Sequence, residues 1–205
     1  ANVVSNGDIF FINGNENCHV KGYGNFTNNG NGRVLLQNNG TFSFDGHECT
    51  GPDVVSVNGG NCSFNCDIIH ATQFAGVFFT GNCTAIVNVR QHIRAYQRCV
   101  NFYGNCNAIV NVPTIFNDGI HAAYNPNVDC LVRIQFTTGK GILNCSLGYA
   151  TNGNIAMITC GQIQDGGSAI INIKRLVNNY AGGTTHTIFI ANRCNYFQFN
   201  GNIYS

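Results

Sequence analysis

A nine-residue stretch occurs twice in this chain, and this internal repeat constrains the fold more than any other feature. Residues 81–89 read GNCTAIVNV and residues 104–112 read GNCNAIVNV, so the copies agree at eight of nine positions and lie 23 residues apart. Each copy joins a Gly-Asn turn to a short run of β-forming residues. A turn and a strand that recur at a short period predict a solenoid, in which each coil packs on the previous one.

The same pattern of short apolar segments separated by Gly and Asn continues on both sides of the repeat. Three segments fall in each coil, and the coils are about 21 to 25 residues long between residues 60 and 149. Helices would instead need apolar residues at a spacing of about 3.6 over ten or more positions. We therefore predict an all-β fold, a β-solenoid or stacked β-arcade with three short strands per coil.

The chain has no linker that would divide it into domains. With 205 residues and 44% hydrophobic content it can bury one sizeable core. We expect a single domain, residues 1–205, in which residues 1–32 form an irregular N-terminal cap. Residues 33–205 would then form the β coils, with a less regular repeat after residue 153.

Stacked coils place equivalent side chains above one another, about 4.8 Å apart. Aliphatic and aromatic residues gain from such columns, and amides can donate and accept hydrogen bonds along them. The spacing predicts an aliphatic column inside the coils formed by Ile86, Ile109 and Val132. It also predicts an aromatic column before the turn, formed by Phe79, Tyr103, Tyr124 and Tyr149.

Charged residues are scarce, as a stacked architecture favours because like charges one coil apart repel. Only 9% of the residues are charged, against about 25% in an average protein. The net charge of +1 gives no electrostatic basis for binding nucleic acid or an anionic membrane surface. No apolar run approaches the ~18 residues of a membrane span. We therefore expect no nucleic-acid partner and no membrane insertion. With so little net charge, electrostatic repulsion does not oppose self-association.

The cysteine content indicates an oxidising compartment, and hence a secreted or cell-surface protein. The chain has 11 cysteines, an odd number, so at least one is a free thiol or bonds to another chain. The disulfide candidates are Cys18, Cys49, Cys62, Cys66, Cys83, Cys99, Cys106, Cys130, Cys145, Cys160 and Cys194.

Four of these cysteines recur directly after the turn, at spacings of 21, 23 and 24 residues: Cys62, Cys83, Cys106 and Cys130. The spacing of stacked strands lies within the Cα separation that a disulfide tolerates, so covalent rungs between coils are one interpretation. A column of small, buried free thiols is the alternative, because cysteine is among the most buried residue types.

The sequence contains five glycosylation sequons, at Asn25, Asn39, Asn61, Asn82 and Asn144. In a chain so rich in Asn, Ser and Thr such sequons also arise by chance. They are glycan candidates only in a host that glycosylates.

Candidate catalytic and metal-binding residues are few. Asp45 and Asp67 are 22 residues apart and could carry a carboxylate pair on neighbouring coils, although turn and capping roles explain them more simply. His47, His70 and His92 recur at similar spacing, and Cys62-x-x-x-Cys66 adds two thiols. A metal site needs three or four converging ligands, and solvent-facing or hydrogen-bonded histidines are the simpler interpretation.

Other motifs of chemistry are missing from the sequence. There is no nucleophile elbow, no phosphate-binding loop and no calcium-binding repeat. Arg90, Arg94 and Arg98 would form a basic stripe on a helix, but in a β context they are expected to be exposed charges. We therefore expect a protein that is not an enzyme, with no catalytic, cofactor-binding or metal-binding residues and no cofactor.

The Gly-Asn-Cys turns, the repeated Ala-Ile-Val-Asn-Val, the richness in Asn and Gly and the odd cysteine count resemble the major structural proteins of extracellular proteinaceous sheaths. The amyloid-like tubular sheaths of filamentous methanogenic archaea are the example. The resemblance covers the chain from about Arg33 onward and lies in composition, so no single residue is carried over. It implies a secreted subunit that polymerises with itself, through β pairing and partly through intermolecular disulfides, into a resistant sheath, tube or filament.

Two other classes of protein remain open. A phage or viral tail fibre or spike would use the same Asn-rich coils to bind surface glycans, and an exposed aromatic and acidic groove would distinguish it. A secreted polysaccharide lyase or hydrolase would require the carboxylate pair described above.

Overall fold

The computed structural model describes residues 3–5, 10–13, 17–21, 24–28, 34–37, 41–119, 130–136, 138–151, 156–163, 167–178, 187–191 and 196–204. All regular structure in this part of the chain is β, and all the strand pairings in it are parallel. The strands are β1 Val3–Ser5, β2 Phe10–Asn13, β3 Asn17–Lys21, β4 Asn25–Asn28, β5 Val34–Gln37, β6 Thr41–Asp45, β7 Glu48–Gly51, β8 Val55–Ala71, β9 Ala75–Ala95, β10 Arg98–Gly104, β11 Asn107–Asn117, β12 Cys130–Phe136, β13 Lys140–Ala150, β14 Ala156–Ile163, β15 Ser168–Val177, β16 Thr187–Ala191 and β17 Phe197–Tyr204.

These strands form three parallel sheets around one interior, so the predicted β-solenoid with three strands per coil is confirmed. Sheet 1 consists of β2, β5, the starts of β8 and β9, β10, β12, β14 and β16. Sheet 2 consists of β3, β6, the middle of β8 and β9, the start of β11, and then the starts of β13, β15 and β17. Sheet 3 consists of β1, β4, β7 and the ends of β8, β9, β11, β13, β15 and β17.

Side chains alternate between the interior and the outer surface along each strand, as the pleat of a strand requires. In β11 the even-numbered residues Ala108, Val110 and Val112 are buried, while Asn107 is exposed. One of the register columns in the interior of sheet 2 contains mostly large apolar side chains, and we call it the inner column. Its members are Phe44, Phe64, Val87, Val110, Leu143, Ile171 and Phe199.

Glycine forms the corner between sheets 1 and 2, as the repeated Gly-Asn-Cys predicts. Gly81 and Gly104 have φ of +67° and +72°, a left-handed conformation that favours glycine. A Cβ added at Gly104 would lie 3.0 Å from the backbone nitrogen of Gly81, so the stacked corners also leave no room for a side chain. The two copies of the repeat therefore mark the same turn in two successive coils.

The coils differ from the sequence-based predictions in length and at the N-terminus. Equivalent asparagines on sheet 2 are 23 residues apart in the early coils but 33 and then 28 residues apart later, because the connections from sheet 3 back to sheet 1 lengthen. Residues 1–32, expected to be an irregular cap, contain β1 to β4, which pair in register with the following coil. Backbone pairing with the next coil is sufficient to form strands even in this Asn-rich and Gly-rich stretch.

The aliphatic column was placed wrongly. Ile86 and Ile109 do stack in register, followed by Ile142 and Ile170, but they lie on the outer side of sheet 2, and Ile86 is 44% exposed. Val132 belongs to sheet 1, where it pairs with Val100. The longer connection before β12 shifts that part of the chain to another sheet.

The aromatic column was also wrong in its members. Phe79 stacks on Phe102 with ring centroids 5.6 Å apart, rather than on Tyr103. Tyr149 lies on sheet 3, where it stacks on Phe116 at 5.2 Å. Tyr124 lies outside the described residues.

Candidate functional site

A ladder of six asparagines runs along the outer side of sheet 2. Each side-chain amide nitrogen donates a hydrogen bond to the side-chain oxygen of the asparagine one coil earlier, with five bonds of 2.7 or 2.8 Å. We call these residues the asparagine ladder: Asn65, Asn88, Asn111, Asn144, Asn172 and Asn200. The amides therefore connect six coils along the solenoid axis, beside the backbone hydrogen bonds.

The geometry of the strand explains why asparagine fits this position. The register of parallel strands puts identical side chains directly above one another, and an amide carries both a donor and an acceptor. At one end Asn65 Nδ2 lies 3.4 Å from the carbonyl oxygen of Phe44, and at the other Asn200 Oδ1 accepts a 2.9 Å bond from Gln198 Nε2. Both ends of the ladder thus have partners within the chain.

The sequence predicts amide columns but does not say which asparagines form them. Asn61 and Asn82, the turn asparagines, are exposed at the glycine corner and do not belong to the ladder. The ladder instead uses Asn88 and Asn111, the fourth residue of each copy of Ala-Ile-Val-Asn-Val. The alternation of the strand gives the missing signal, because a polar Asn two residues after Ile86 places both side chains on the outer side.

A charged cluster lies where the ladder begins. Asp45 occupies the ladder position one coil before Asn65, and Arg90 reaches across two coils to it. Arg90 donates hydrogen bonds to Asp67, to Asp45 at 3.4 Å and to the carbonyl oxygen of Gly46 at 2.8 Å, while His47 also contacts Asp67. We call Asp45, His47, Asp67 and Arg90 the charged corner.

The charged corner brings together the two candidate catalytic carboxylates, Asp45 and Asp67, but the Arg90 guanidinium donates hydrogen bonds to both. The hydrogen bond from Arg90 and then that from His47 lower the pKa of Asp67, so this carboxyl stays ionised at neutral pH. A general acid would need the opposite shift. The geometry is therefore that of an ion-pair cluster.

The three candidate histidines do not form a column. His47 is in the charged corner, His70 pairs in register with Arg94, and His92 pairs with Ile68. Burial, and then the nearby Arg94, lower the pKa of both His70 and His92. His92 instead packs its ring against Phe116, with centroids 5.4 Å apart.

The candidate basic stripe is likewise divided among three places. Arg90 belongs to the charged corner, and Arg94 forms an ion pair with Asp118 on sheet 3. Arg98 begins β10 on sheet 1. A spacing of four would keep side chains on one face of a single straight strand. Here β9 turns the corner from sheet 2 to sheet 3 after Val89 and ends at Ala95, so the three arginines lie on different parts of the surface.

Most of the described cysteines are free thiols buried inside the solenoid. Cys49, Cys62, Cys66, Cys83, Cys99, Cys106, Cys130 and Cys145 are buried and free, and Cys18 is free and half-buried. Cys160 is disulfide-bonded, and Cys194 lies outside the described residues. Cys62, Cys83, Cys106 and Cys130, the four candidates for disulfide rungs, are all buried free thiols in the structure.

The expected column after the turn is partly formed. The Cys83 and Cys106 thiols share a hydrogen bond, and burial, followed by the neighbouring Cys83, raises the pKa of Cys62 to about 12. Cys130 does not join them, because it begins β12 on sheet 1. Burial also raises the pKa of Cys145 to about 12, so this thiol stays protonated and unreactive at neutral pH.

The sequons fall in different environments. Asn61 and Asn82 are exposed and Asn25 is half-buried, whereas Asn39 lies outside the described residues. Asn144 Nδ2 donates to Asn111 Oδ1 within the ladder. A glycan on Asn144 would use that nitrogen and break the ladder, so this site is the least suitable of the four.

Among the described residues, no group of three or more His, Cys, Asp and Glu side chains could hold a metal ion, and no helix is long and apolar enough to span a membrane. The fold and the ladder define the chain as a β-solenoid with an asparagine-stacked face. Comparison with family models, with curated proteins and with solved structures finds no match in any of the three.

Proposed function

We propose that the chain is a non-enzymatic, extracellular structural protein that assembles with copies of itself into a sheath, tube or filament. The asparagine ladder is the observation that carries this proposal. Five amide hydrogen bonds connect six coils along one axis, and such columns add to the stability of stacked strands in cross-β assemblies. A ladder with both ends satisfied inside the chain stiffens a rod without needing a ligand.

The proposed contact between copies is the edge of β17. This strand pairs with β15 on one side, and no strand in the described part of the chain pairs with its other side. Its residues, FQFNGNIY, include no charge and no proline, the features that natural edge strands use against self-association. Ile203, in register with buried Leu176, is 42% exposed there, so a first coil of another copy would cover apolar surface as well as pair with the strand.

Fewer cysteines can form disulfides between copies than the sequence suggested. Eight of the nine free thiols are buried in the interior and cannot reach another molecule without opening a coil. Cys18 is half-buried. We therefore assign any intermolecular disulfide among the free cysteines to Cys18.

Negative-stain electron microscopy of the purified protein, with and without a reductant, tests the assembly. We expect filaments, tubes or sheets from the wild-type chain. The double variant Gln198→Lys/Asn202→Lys places two charges on the edge strand and should leave single solenoids. Single particles from the wild-type chain at all concentrations would contradict the proposal.

A matched control keeps the number of added charges constant. Ser63 lies in the register column of Gln198, and Thr114 lies in that of Asn202, but both belong to the middle of the stack. Ser63→Lys/Thr114→Lys should therefore assemble as the wild type does. Loss of assembly in this control too would show that net charge, rather than the β17 edge, governs association.

A second candidate function, a fibre that binds surface glycans, is favoured by one specific observation. A pocket on the outer side of sheet 1 combines aromatic, cationic and acidic side chains.

A further inference from the structure

The pocket on sheet 1 differs in chemistry from the asparagine ladder on sheet 2. It has a volume of about 260 Å³ and lies across the starts of β9, β10 and β12. Three aromatic rings line it together with one amide and two guanidinium groups: Phe74, Phe78, Tyr103, Asn101, Arg98 and Arg133. We call it the sheet 1 pocket.

The amide in this pocket lacks a hydrogen-bond partner. Asn101 lies on the outer side of sheet 1, yet it is only 3% exposed, and its Oδ1 is buried with no hydrogen-bond partner in the structure. A buried acceptor that is left unsatisfied destabilises the structure. A ligand that donates a hydrogen bond from a hydroxyl group would satisfy this oxygen, in contrast to the ladder amides, which already bond to one another.

The pocket is also cationic. Arg133 is in register with Asn101 on the adjacent strand, and both residues line the pocket. Its Nη2 donates to the neutral Gln135 Oε1 at 2.8 Å, and no ion pair of Arg133 with a carboxylate occurs among the described residues. With Arg98 and one acidic residue, Asp53, the formal charge of the pocket is +1. Asp53 Oδ1 meanwhile accepts a hydrogen bond from the Ala75 backbone at 2.8 Å.

Aromatic rings form the exposed wall. Phe74 and Tyr103 are 42% and 40% exposed, and the Phe78 ring lies tilted against Tyr103 with centroids 6.4 Å apart. Exposed rings at the edge of a polar pocket offer a flat apolar surface to a ring with one hydrophobic face. A pyranose ring has such a face, with C–H groups on one side and hydroxyl groups around its rim.

We propose that the sheet 1 pocket binds an acidic sugar residue, a pyranose that carries a carboxylate, as found in uronate-containing glycans. The ring packs on Tyr103 and Phe74, a hydroxyl donates to Asn101 Oδ1, and the carboxylate accepts hydrogen bonds from Arg133. The pocket lies just below the size range of drug-sized sites, which suits one ring rather than a longer buried chain. Guanidinium is the side-chain group best matched to a carboxylate.

This inference rests on the second candidate function and is independent of self-assembly. The charged edge variant Gln198→Lys/Asn202→Lys keeps the sheet 1 pocket intact. It should therefore bind sugars as the wild type does, whether or not the wild type forms filaments. Electron microscopy of the wild type and of the edge variant reports on assembly, and sugar binding by the same two proteins reports on the pocket. A failure of one proposal can therefore be told apart from a failure of the other.

Isothermal titration calorimetry of the full chain with four probes tests the proposal. The probes are glucuronate and a galacturonate tetramer as acidic ligands, and glucose and a cellulose tetramer as neutral ligands. We expect binding of the acidic probes and at least about tenfold weaker binding of the neutral ones, as the loss of a charge-assisted hydrogen bond predicts. A stronger response to the tetramer than to glucuronate identifies a polymer chain as the source of the sugar, and equal affinity per site identifies a free acidic sugar.

Two pairs of variants place the binding site. Arg133→Gln should weaken acidic-probe binding at least about tenfold, whereas Arg175→Gln, the same change on sheet 3, should leave it within about twofold. Tyr103→Ala should weaken it about fivefold, and Tyr96→Ala, a comparably exposed tyrosine outside the pocket, should not. Far-UV circular dichroism checks that each variant folds. No binding of either acidic probe, equal binding of neutral probes, or equal effects of Arg133→Gln and Arg175→Gln would each overturn the proposal.

Discussion

The inner column of sheet 2 has different residues in different coils, whereas the asparagine ladder has asparagine in six successive coils. The two columns occupy neighbouring positions on the same strands. The inner column passes from phenylalanine to valine, leucine, isoleucine and phenylalanine. Apolar packing requires only that volumes add up to a filled interior. A hydrogen-bonded column requires a donor and an acceptor at the same height in every coil.

The two columns therefore differ in how they tolerate change. An apolar position has several acceptable residues, but its truncation leaves a cavity. A position between two ladder asparagines needs an amide, which can both donate and accept, but its loss exposes two half-buried amides that water can partly solvate. We expect large effects from truncation in the inner column and smaller but more residue-specific effects in the ladder.

The largest effect should come from Phe64→Ala. Phe64 is fully buried and stacks on Phe44 with ring centroids 4.5 Å apart. Its truncation should lower the free energy of unfolding by about 3–5 kcal/mol, as measured by urea denaturation. Phe64→Leu, which keeps most of the volume, should cost less than about 1.5 kcal/mol. If Phe64→Leu were as damaging as Phe64→Ala, the inner column would depend on residue identity and the contrast with the ladder would fail.

Asn111→Ala should have the next largest effect. Asn111 donates to Asn88 and accepts from Asn144, both at 2.8 Å, so its removal breaks two hydrogen bonds. We expect a loss of about 1–3 kcal/mol in the free energy of unfolding. Asn111→Gln should not restore it, because the longer side chain moves the amide away from the height of its neighbours.

The control for this variant lies on the same strand. Asn107 is exposed on the outer side of β11 and lies outside the ladder. Asn107→Ala should change the free energy of unfolding by no more than about 0.5 kcal/mol. Equal losses in the two variants would show that asparagine contributes here through local backbone preference and not through the ladder.

The sequence predicted the fold well because the signals for it are local. The repeated turn, the β-forming segments and the shortage of charge each point to stacked parallel strands, and the glycines at 81 and 104 mark a real corner. The contents of each column were harder to predict, because a column depends on register between distant coils. One long connection before β12 moved Val132 and Cys130 to sheet 1, although their spacing from earlier coils looked regular.

The sequence predicted that stacked amides would occur but not which asparagines would form the ladder. Composition indicated amide columns, but the choice between turn and strand asparagines needed the orientation of the strand. The sheet 1 pocket could not be predicted, because its aromatic and cationic residues come from three coils and share no motif. Only the structure shows that the Asn101 oxygen is buried without a partner.

Sheet 3 contains a third kind of column, in which unlike residues stack. There, burial and a neighbouring arginine disfavour the protonated form of two histidines. His70 lies in register with Arg94, and His92 is also close to it, while Asp118 and Glu48 act in the opposite direction on His70. Burial, and then Arg94, lower the pKa of both histidines below their ordinary value of 6.5. Unfolding therefore takes up protons in the range just below pH 6.5, and folded-state stability must fall as the pH falls through it.

We expect the free energy of unfolding to be lower at pH 5 than at pH 7.5. The double variant His70→Gln/His92→Gln should show a shallower decline over this interval, measured by urea denaturation at each pH. Asn107→Ala, which removes no titratable group, is the control and should leave the pH dependence unchanged. A wild-type protein more stable at pH 5 would contradict the predicted sign.

The smallest effect is expected at the charged corner, where the asparagine ladder meets the first carboxylates. Arg90→Gln removes the partner shared by Asp67 and Asp45, but these groups are partly exposed, so the loss should be about 0.2–1 kcal/mol and should decrease with added salt. Because Arg90 lowers the pKa of Asp67, its contribution is complete above about pH 3.8 and is lost as the pH falls below it. Urea denaturation of both proteins at pH 7 and near pH 3 should therefore show a difference that shrinks in acid. If the difference in the free energy of unfolding were the same at both pH values, Arg90 would act through its hydrogen bond to Gly46 and the packing of its aliphatic stem. The ion pairs at the start of the ladder would then contribute nothing to stability.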